Sequence, residues 1–298
     1  MSYADRLQDA IQAKGTPALV GLDPFLDRIP EDFAGVHDPN ATVAERASAM
    51  GDFLCAVVDV VADRVPAVKP QSAFFEVLGA AGVAQWERVV RHARRAGLIV
   101  VGDVKRGDIG STAAAYAEAF LTGARGVDPE TLCDAVTVNP LLGDDSITPF
   151  LEACTQASAG IYILVRTSNP GGAQFQLQGQ PTLTEHIADA VVAWGEGLIG
   201  ASGLSSVGAV VGATHPAELA SLRARMPRTP LLLPGYGAQG AGAAEVASGF
   251  LEGGRGALVN SSRGILYPAR DEGEDWRTAT SRAVDRMRAD LGAVWGGA

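Results

Sequence analysis

Lysine is the rarest charged residue in this sequence. Of its 24 lysine and arginine residues only three are lysines, Lys14, Lys69 and Lys105. Arginine keeps its proton at any ordinary pH whereas lysine can release one, so a lysine inside an apolar segment indicates a chemical use for its ammonium group. Lys69 in AVKP and Lys105 in LIVVGDVK meet that description. Lys14 lies in an amphipathic N-terminal segment and shows that rarity alone does not identify a site.

Cysteine and histidine are also scarce, which argues against several classes of site. The three cysteines are widely spaced and include no C-x-x-C pair, so neither a disulfide framework nor a zinc site is indicated. The four histidines show no metal-ligand spacing, and we expect them to be surface or packing residues. No G-x-S-x-G motif and no P-loop lysine occurs, which leaves a nucleophilic serine and an ATP site unsupported. The sequence therefore predicts a site that uses no metal and no cofactor.

Long apolar runs are absent as well. No segment approaches the roughly 20 apolar residues of a membrane span. The stretch MSYADRLQDAIQAKG has the pattern of an amphipathic helix rather than the apolar centre of a signal peptide. We therefore expect a cytoplasmic protein with no membrane partner. The net charge of −10 disfavours nucleic acid as a partner. The expected ligand is therefore a small molecule, which would bind in a local basic pocket if it is anionic.

Eight short, β-rich apolar runs alternate with Ala-rich segments of helical character. They are residues 17–23, 65–70, 98–105, 134–140, 161–166, 207–213, 230–235 and 256–262. Strands that are apolar on both faces and alternate with helices indicate a parallel sheet, and eight such units predict a closed (β/α)8 TIM barrel. An open doubly wound sheet is the alternative. We expect residues 1–298 to form a single barrel domain with loop elaborations near 24–50 and 170–186.

Polar and charged side chains recur where the predicted strands end. Active sites of such barrels lie at the carboxyl ends of the strands. The residues at these ends are Asp23, Lys69, Asp103, Lys105, Asn139, Arg166, Thr167, Ser168 and Arg263. A strand period of two places Asp103 and Lys105 on one side, with Lys69 on the adjacent strand, so we expect these charges to converge with Asp23. The alternative for DVKRGD is a solvated loop with incidental salt bridges.

A glycine-rich segment, LLLPGYGAQGAG, follows the seventh strand. Gly235, Gly237 and Gly240 fit G-x-G-x-x-G, but the acidic residue that a dinucleotide site needs about twenty positions later is replaced by VNSSRG. Loops after strands seven and eight are where barrels bind phosphate through backbone N–H groups. We therefore predict a phosphate site to which Gln239 adds an amide donor and Arg263 a bidentate clamp. The alternative is that the glycines only make turns.

Several motifs together resemble one family. The segments are AVKPQSAFFE, DVKRGDIGST, TVNPLLGDDS, VRTSNPG, PGYGAQG and SSRGI. In combination they are similar to the orotidine 5′-phosphate decarboxylases, in particular the longer bacterial (type 2) subfamily, from about Asp23 to Arg263. The resemblance implies decarboxylation of orotidine 5′-phosphate to uridine 5′-phosphate (UMP) in pyrimidine biosynthesis, without a cofactor, by a homodimer with shared active sites.

The resemblance also assigns roles to residues. A catalytic tetrad is implied, made of Lys69, Asp103, Lys105 and Asp108. Asp108 and Thr112 would reach the site of the partner subunit. The resemblance implies that Asp23 and Lys69 contact the ribose. It also implies that Ser168 contacts the pyrimidine edge, and that Gln239 and Arg263 contact the phosphate. Asn139, at the end of the fourth strand, completes the predicted substrate-binding set.

The chemistry itself explains why such charges are needed. Loss of carbon dioxide from a pyrimidine carboxylate leaves an in-plane carbanion that the ring carbonyls cannot delocalise. Lys105 would stabilise that charge and then donate the proton. Asp103 beside the departing carboxylate would disfavour the bound ground state.

Three other functions stay open at this stage. A metal-dependent sugar-phosphate lyase would use the aspartates for Mg²⁺, although two interleaved lysines argue against a cation site. A Schiff-base aldolase would use Lys69 or Lys105 as its nucleophile. A non-catalytic protein that binds a phosphate ligand would need the glycine loop and Arg263 but not the array of lysines and aspartates.

Overall fold

All eight predicted strands form, and they close into a barrel. The structure is a computed structural model and describes residues 1–237 and 242–296. The strands are β1 (Ala18–Leu22), β2 (Ala67–Pro70), β3 (Ile99–Arg106), β4 (Ala135–Val138), β5 (Gly160–Arg166), β6 (Val207–Val211), β7 (Leu231–Leu233) and β8 (Ala257–Ser261). Each pairs in parallel with the next, and β1 pairs with β8. The barrel prediction is confirmed, and the alternative of an open sheet is wrong because β1 and β8 close the ring.

Helices connect the successive strands and cover the outside of the barrel, whereas the first helix precedes β1. They are α1 (Tyr3–Lys14), α2 (Val43–Val61), α3 (Ser72–Glu76), α4 (Gly79–Arg95), α5 (Gly110–Ala117), α6 (Asp144–Ala157), α7 (Ala173–Gln176), α8 (Leu183–Gly195), α9 (Pro216–Arg225), α10 (Ala243–Val246), α11 (Arg263–Leu266) and α12 (Trp276–Gly292). Within the described ranges, none of the helices combines the length and the apolarity that crossing a membrane requires.

The two long polar segments contain more helix than their composition indicates. The first carries two short 3-10 helices, and its loop ends at Thr42, where a reciprocal pair of hydrogen bonds with Glu45 begins α2. The second contains α7 and ends at Thr182, which caps α8 together with Glu185 in the same way. The predicted loop near 24–50 is therefore shorter than expected, because Thr42 and Glu45 form a capping box.

Apolar side chains fill the interior of the barrel at the N-terminal ends of the strands. Inward-facing residues such as Leu19 and Leu258 pack there against α1, whose Tyr3 is fully buried. The hydroxyl of Tyr3 donates a hydrogen bond to that of Tyr162, with the two oxygens 3.0 Å apart. The N-terminal end of the barrel is thereby sealed, and the polar inward positions lie at the C-terminal ends of the strands.

Candidate active site

A cavity of about 310 Å³ opens at the C-terminal ends of the strands. Seven of the polar residues predicted at the strand ends line it, namely Asp23, Lys69, Asp103, Lys105, Thr167, Ser168 and Arg263. Its apolar lining comes from Leu164, Val210 and Leu232, which continue the packed interior of the barrel. The wall thus combines charged groups with an apolar surface, which suits a charged ligand that also has an apolar part such as a ring.

Asp103 is the centre of the charged cluster. Its Oδ2 accepts hydrogen bonds from Lys69 Nζ at 2.8 Å and from Gln71 Nε2 at 2.9 Å. Its Oδ1 accepts from Lys105 Nζ at 2.5 Å and from Thr137 Oγ1 at 2.9 Å. Four donors from three adjacent strand ends therefore hold one carboxylate in a fixed position, with an ammonium group on each of its oxygens.

A bulge in β3 brings Lys105 into the cavity. Gly102 pairs with Val136 and Arg106 with Val138, so β3 contains two more residues than β4 over this interval. Lys105 has a φ of +43°, a left-handed conformation that is uncommon for a residue other than glycine. Its backbone N–H donates to Thr137 Oγ1 at 2.9 Å. Asp103 and Lys105 do share a side, as predicted, but irregular backbone places them there rather than strand alternation.

Burial and charge act in opposite directions on the pKa values in this cluster. Burial by itself would raise the pKa of Asp103, but the ammonium groups of Lys69 and Lys105 outweigh it and hold that pKa far below its ordinary range. Burial would lower the pKa of Lys69, and the carboxylates of Asp103 and Asp23 outweigh it, so the pKa is raised. The pair is therefore ionised at neutral pH although both side chains are buried.

Two residues of the cavity wall each carry an acceptor atom without a hydrogen-bond partner. Asp23 Oδ1 lies 3.9 Å from Lys69 Nζ, and both this oxygen and Oδ1 of Asn260 are buried without a hydrogen-bond partner among the described residues. Buried polar atoms normally have partners, so unsatisfied acceptors on residues that line a cavity indicate a ligand that donates hydrogen bonds. Hydroxyl groups of a sugar have this property.

The far end of the cavity is built from the segments after β7 and β8. It is lined by Gly235, Tyr236, Ser262 and Arg263. Gly235 and Gly237 have φ values of +107° and +74°, conformations that favour glycine at these two positions. The predicted phosphate ligand Gln239, like Gly240 of the glycine motif, lies outside the described residues.

Three predicted site residues are not brought into the cavity of their own chain. Asp108, Thr112 and Asn139 are not among the described residues that line this cavity. The carboxylate of Asp108 accepts the N–H of Ile109 at 2.8 Å, Thr112 is exposed on α5, and Asn139 Oδ1 accepts the N–H of Leu141 at 3.0 Å. Asp108 and Thr112 are the residues for which the family resemblance implies a role in the partner subunit.

Arg166 is turned away from the site by a second bulge. Leu164 pairs with Val210 and Arg166 with the next residue, Val211, so the alternation of β5 shifts by one. The guanidinium of Arg166 instead donates from Nε to Glu218 Oε2 at 2.6 Å on α9. Arg166 does end β5, as the sequence indicates, but the bulge directs its side chain away from the cavity.

Five polar residues of the cavity were missed by the sequence analysis. They are Gln71, Thr137, Asn169, Asn260 and Ser262. Gln71 lies two residues after Lys69, and Asn260 is a polar residue within the apolar run GALVNSS. Inward positions recur every second residue along a strand, so this spacing was a usable signal for both.

The acidic residues do not form a metal site. Within residues 1–237 and 242–296, no group of three or more His, Cys, Asp and Glu side chains is arranged so that it could hold a metal ion. Asp23 and Asp103 are instead separated by the ammonium of Lys69. This donor set suits an anionic or hydroxyl-bearing ligand better than a cation.

Comparison with known proteins agrees with this geometry. Residues 21–279 match the sequence model of the orotidine 5′-phosphate decarboxylase / HUMPS family. The chain is 43% identical to the orotidine 5′-phosphate decarboxylase of Rhodopirellula baltica, with 98% of this chain and 99% of the relative covered. It is 41% identical to that of Deinococcus radiodurans, with 98% of each covered. The structure of the Leishmania donovani OMP decarboxylase superposes with a TM-score of 0.76 at 30% identity, covering 99% of this chain and 98% of that one. The chain belongs to the orotidine 5′-phosphate decarboxylase family.

Proposed function

We propose that this protein decarboxylates orotidine 5′-phosphate to UMP, a step of pyrimidine biosynthesis, without a metal or an organic cofactor. The observation that carries the proposal is the alternating row Lys69, Asp103 and Lys105, in which one buried carboxylate lies between two ammonium groups. A reaction that develops negative charge on carbon needs a preorganised cation at that point. The row supplies a cation that can also donate a proton.

Lys105 is the proton donor in this mechanism. It is half-exposed to the cavity, and its ammonium is aimed by the bulge of β3 and by its bond to Asp103. As the carboxylate of the substrate leaves, negative charge grows on the ring carbon, and the nearby ammonium stabilises it before transferring its proton. Lys69 keeps Asp103 ionised and in place throughout.

The remaining residues bind different parts of the substrate. Asp23 and Lys69 bind the ribose hydroxyls, since Asp23 Oδ1 is an unsatisfied acceptor. Ser168 contacts the pyrimidine edge, and Arg263 with Gln239 binds the phosphate. Interaction energy from the phosphate, far from the reacting carbon, is available to close the loops over the site.

A spectrophotometric assay that follows the loss of orotidine 5′-phosphate absorbance tests the proposal. Turnover that survives exhaustive chelation is expected. Loss of activity on chelation with recovery on adding Mg²⁺ would indicate the metal-dependent lyase. Covalent trapping of substrate by borohydride would indicate a Schiff-base aldolase, and a rise in melting temperature on binding without turnover would indicate a non-catalytic binding protein.

We also propose that the protein is a homodimer with two shared active sites. Exposed apolar side chains support it, because Val77, Ile109, Leu141 and Leu142 follow three consecutive strands and are 51–75% exposed. The segments after β3 and β4 run side by side, since the N–H of Asn139 donates to the carbonyl of Arg106 at 2.8 Å. Asp108 precedes Ile109 of this apolar surface, and the family resemblance implies that Asp108 and Thr112 reach the partner's cavity in the dimer.

The proposed location is the cytoplasm. Cys55, Cys133 and Cys154 are free and buried, which fits a reducing compartment. Burial raises the pKa of Cys55 to about 11, so its thiol stays protonated at neutral pH.

We also propose that the whole chain forms one barrel domain.

A further inference from the structure

Gln176 is connected to the end of β5 by three side-chain hydrogen bonds. Its Oε1 accepts from the N–H of Thr167 at 3.0 Å and from Nη1 of Arg166 at 3.1 Å. Its Nε2 donates to Oγ1 of Thr167 at 2.8 Å. All three contacts fall on the two residues that precede Ser168, a residue of the cavity wall. Gln176 is not among the described residues that line the cavity.

Gln176 and its partner Arg166 are each held by further contacts. Arg166 is 3% exposed, and it donates to the carboxylate of Glu218 and to the carbonyl of Thr167 at 3.0 Å. On the other side, the hydroxyl of Thr184 donates to the backbone carbonyl of Gln176 at 2.9 Å. Gln176 therefore links two fixed points, because its side chain bonds to the buried Arg166 and its backbone carbonyl bonds to the first turn of α8.

The backbone of Ser168 is also confined from the opposite side. Gly212, just after β6, donates its N–H to the carbonyl of Arg166 at 2.8 Å. A methyl group at Gly212 would lie 2.8 Å from both Cα and N of Ser168. Ser168 thus lies between Gly212 and the segment that Gln176 holds, so its backbone position depends on that of Thr167.

We infer that Gln176 is a positioning residue that sets the direction in which Ser168 meets the pyrimidine ring. The inference rests on the proposed function, in which Ser168 contacts the ring edge. Gln176 acts through Thr167 rather than on the ligand. A polar group that is displaced by about 1 Å from its ligand loses much of its discrimination. Gln176 therefore contributes to recognition of the base and not to recognition of the ribose phosphate.

Calorimetric binding of three probes tests this inference independently of turnover. UMP presents the whole ligand, CMP differs from it only at the ring edge, and ribose 5-phosphate lacks the ring. The variants are Gln176→Met, which keeps the side-chain length without hydrogen bonds, and Gln176→Ala. Gln176→Glu can accept both N–H bonds and take the Thr167 hydroxyl as a donor. Gln174→Ala removes an exposed glutamine from the same helix and is the matched control.

The expected result is specific to the ring. For Gln176→Met and Gln176→Ala, UMP affinity and the preference for UMP over CMP both fall by about tenfold, while ribose 5-phosphate affinity stays within about twofold. Gln176→Glu keeps most of the preference, and Gln174→Ala keeps all of it. Melting temperatures without ligand show whether each variant is folded.

Several outcomes overturn the inference. Equal weakening of all three probes would mean that Gln176 only supports the loop, and unchanged binding would mean that it has no role. A wild-type protein without preference for UMP over CMP would remove the basis in Ser168. A last outcome separates the inference from the proposed function. If the wild type prefers UMP over CMP and the variants show the ring-specific loss, but the wild type does not turn over orotidine 5′-phosphate, the proposed function is refuted and the inference is supported.

Discussion

Lys105 donates a hydrogen bond to Asp103 over 2.5 Å, although the two residues belong to a bulged strand. The bond requires a left-handed backbone at Lys105, with a φ of +43°. Such a conformation costs about 1–3 kcal/mol and persists where the surrounding structure imposes it. The N–H bond from Lys105 to Thr137 and the four donors around Asp103 supply that constraint.

Replacing Lys105 by alanine is expected to reduce kcat by more than about 10²–10³-fold, because one group supplies both the stabilising charge and the proton. The fold should persist, since the side chain of Lys105 is 47% exposed and Asp103 keeps its bond to Lys69. Lys14→Ala, which removes the lysine at the end of α1, is the control and should leave kcat unchanged. Near-wild-type turnover by a folded Lys105→Ala protein would exclude this residue as the acid.

Mixing two inactive variants tests the shared site. In a dimer of Lys105→Ala with Asp108→Ala, one site receives both intact residues and the other receives neither. Random pairing gives mixed dimers in half of the population, so activity should recover to about a quarter of wild type per total site. Subunit exchange is verified by mass spectrometry, and Lys105→Ala mixed with itself is the control. No recovery despite exchange would mean that Asp108 acts within its own chain.

The ion pair between Lys69 and Asp103 should make stability depend on pH in a defined direction. The pKa of Asp103 is lowered in the folded state, so its contribution is fully present above the unfolded value of about 3.9 and is lost as the pH falls towards the folded value. We expect Asp103→Asn to cost about 3–5 kcal/mol near neutral pH, because it leaves the buried Lys69 with only the more distant carboxylate of Asp23, 3.9 Å away.

Urea unfolding of wild type and Asp103→Asn at pH 7, 5, 4 and 3 measures this difference. The advantage of the wild type should shrink steadily below about pH 4. Asp9→Asn, at an exposed position of α1, is the matched control and should stay close to wild type throughout. A difference that is constant over this range would show that the carboxylate is not stabilised by the folded structure.

Substitution of Gly160 tests how tightly the N-terminal end of the barrel is packed. A methyl group there would lie 2.2 Å from Cδ1 of Tyr3, whose ring closes the barrel floor. Gly160→Ala should therefore lower the free energy of unfolding by about 1–3 kcal/mol through overpacking, while kcat of the folded fraction stays unchanged. Gly197→Ala, where nothing lies within 4 Å of the added carbon, is the control. If the two variants were equally stable, the contact between Tyr3 and Gly160 would not limit packing.

The sequence by itself determined the order of elements and the main charged residues of the site. Parallel strands buried on both faces leave continuous apolar runs, and this local signal located all eight strands of the barrel. The scarcity of lysine directed attention to Lys69 and Lys105, and both line the cavity. These features are local, because composition and periodicity along the chain encode them.

Only the tertiary structure decided how the side chains at the strand ends are directed. Bulges in β3 and β5 arise from pairing with neighbouring strands, and they turn Lys105 into the cavity and Arg166 out of it. The partners of Asp103 on other strands, Gln71 and Thr137, follow from register across the barrel rather than from spacing in the chain. Register depends on contacts between residues more than thirty positions apart, for which a single sequence carries no local signal.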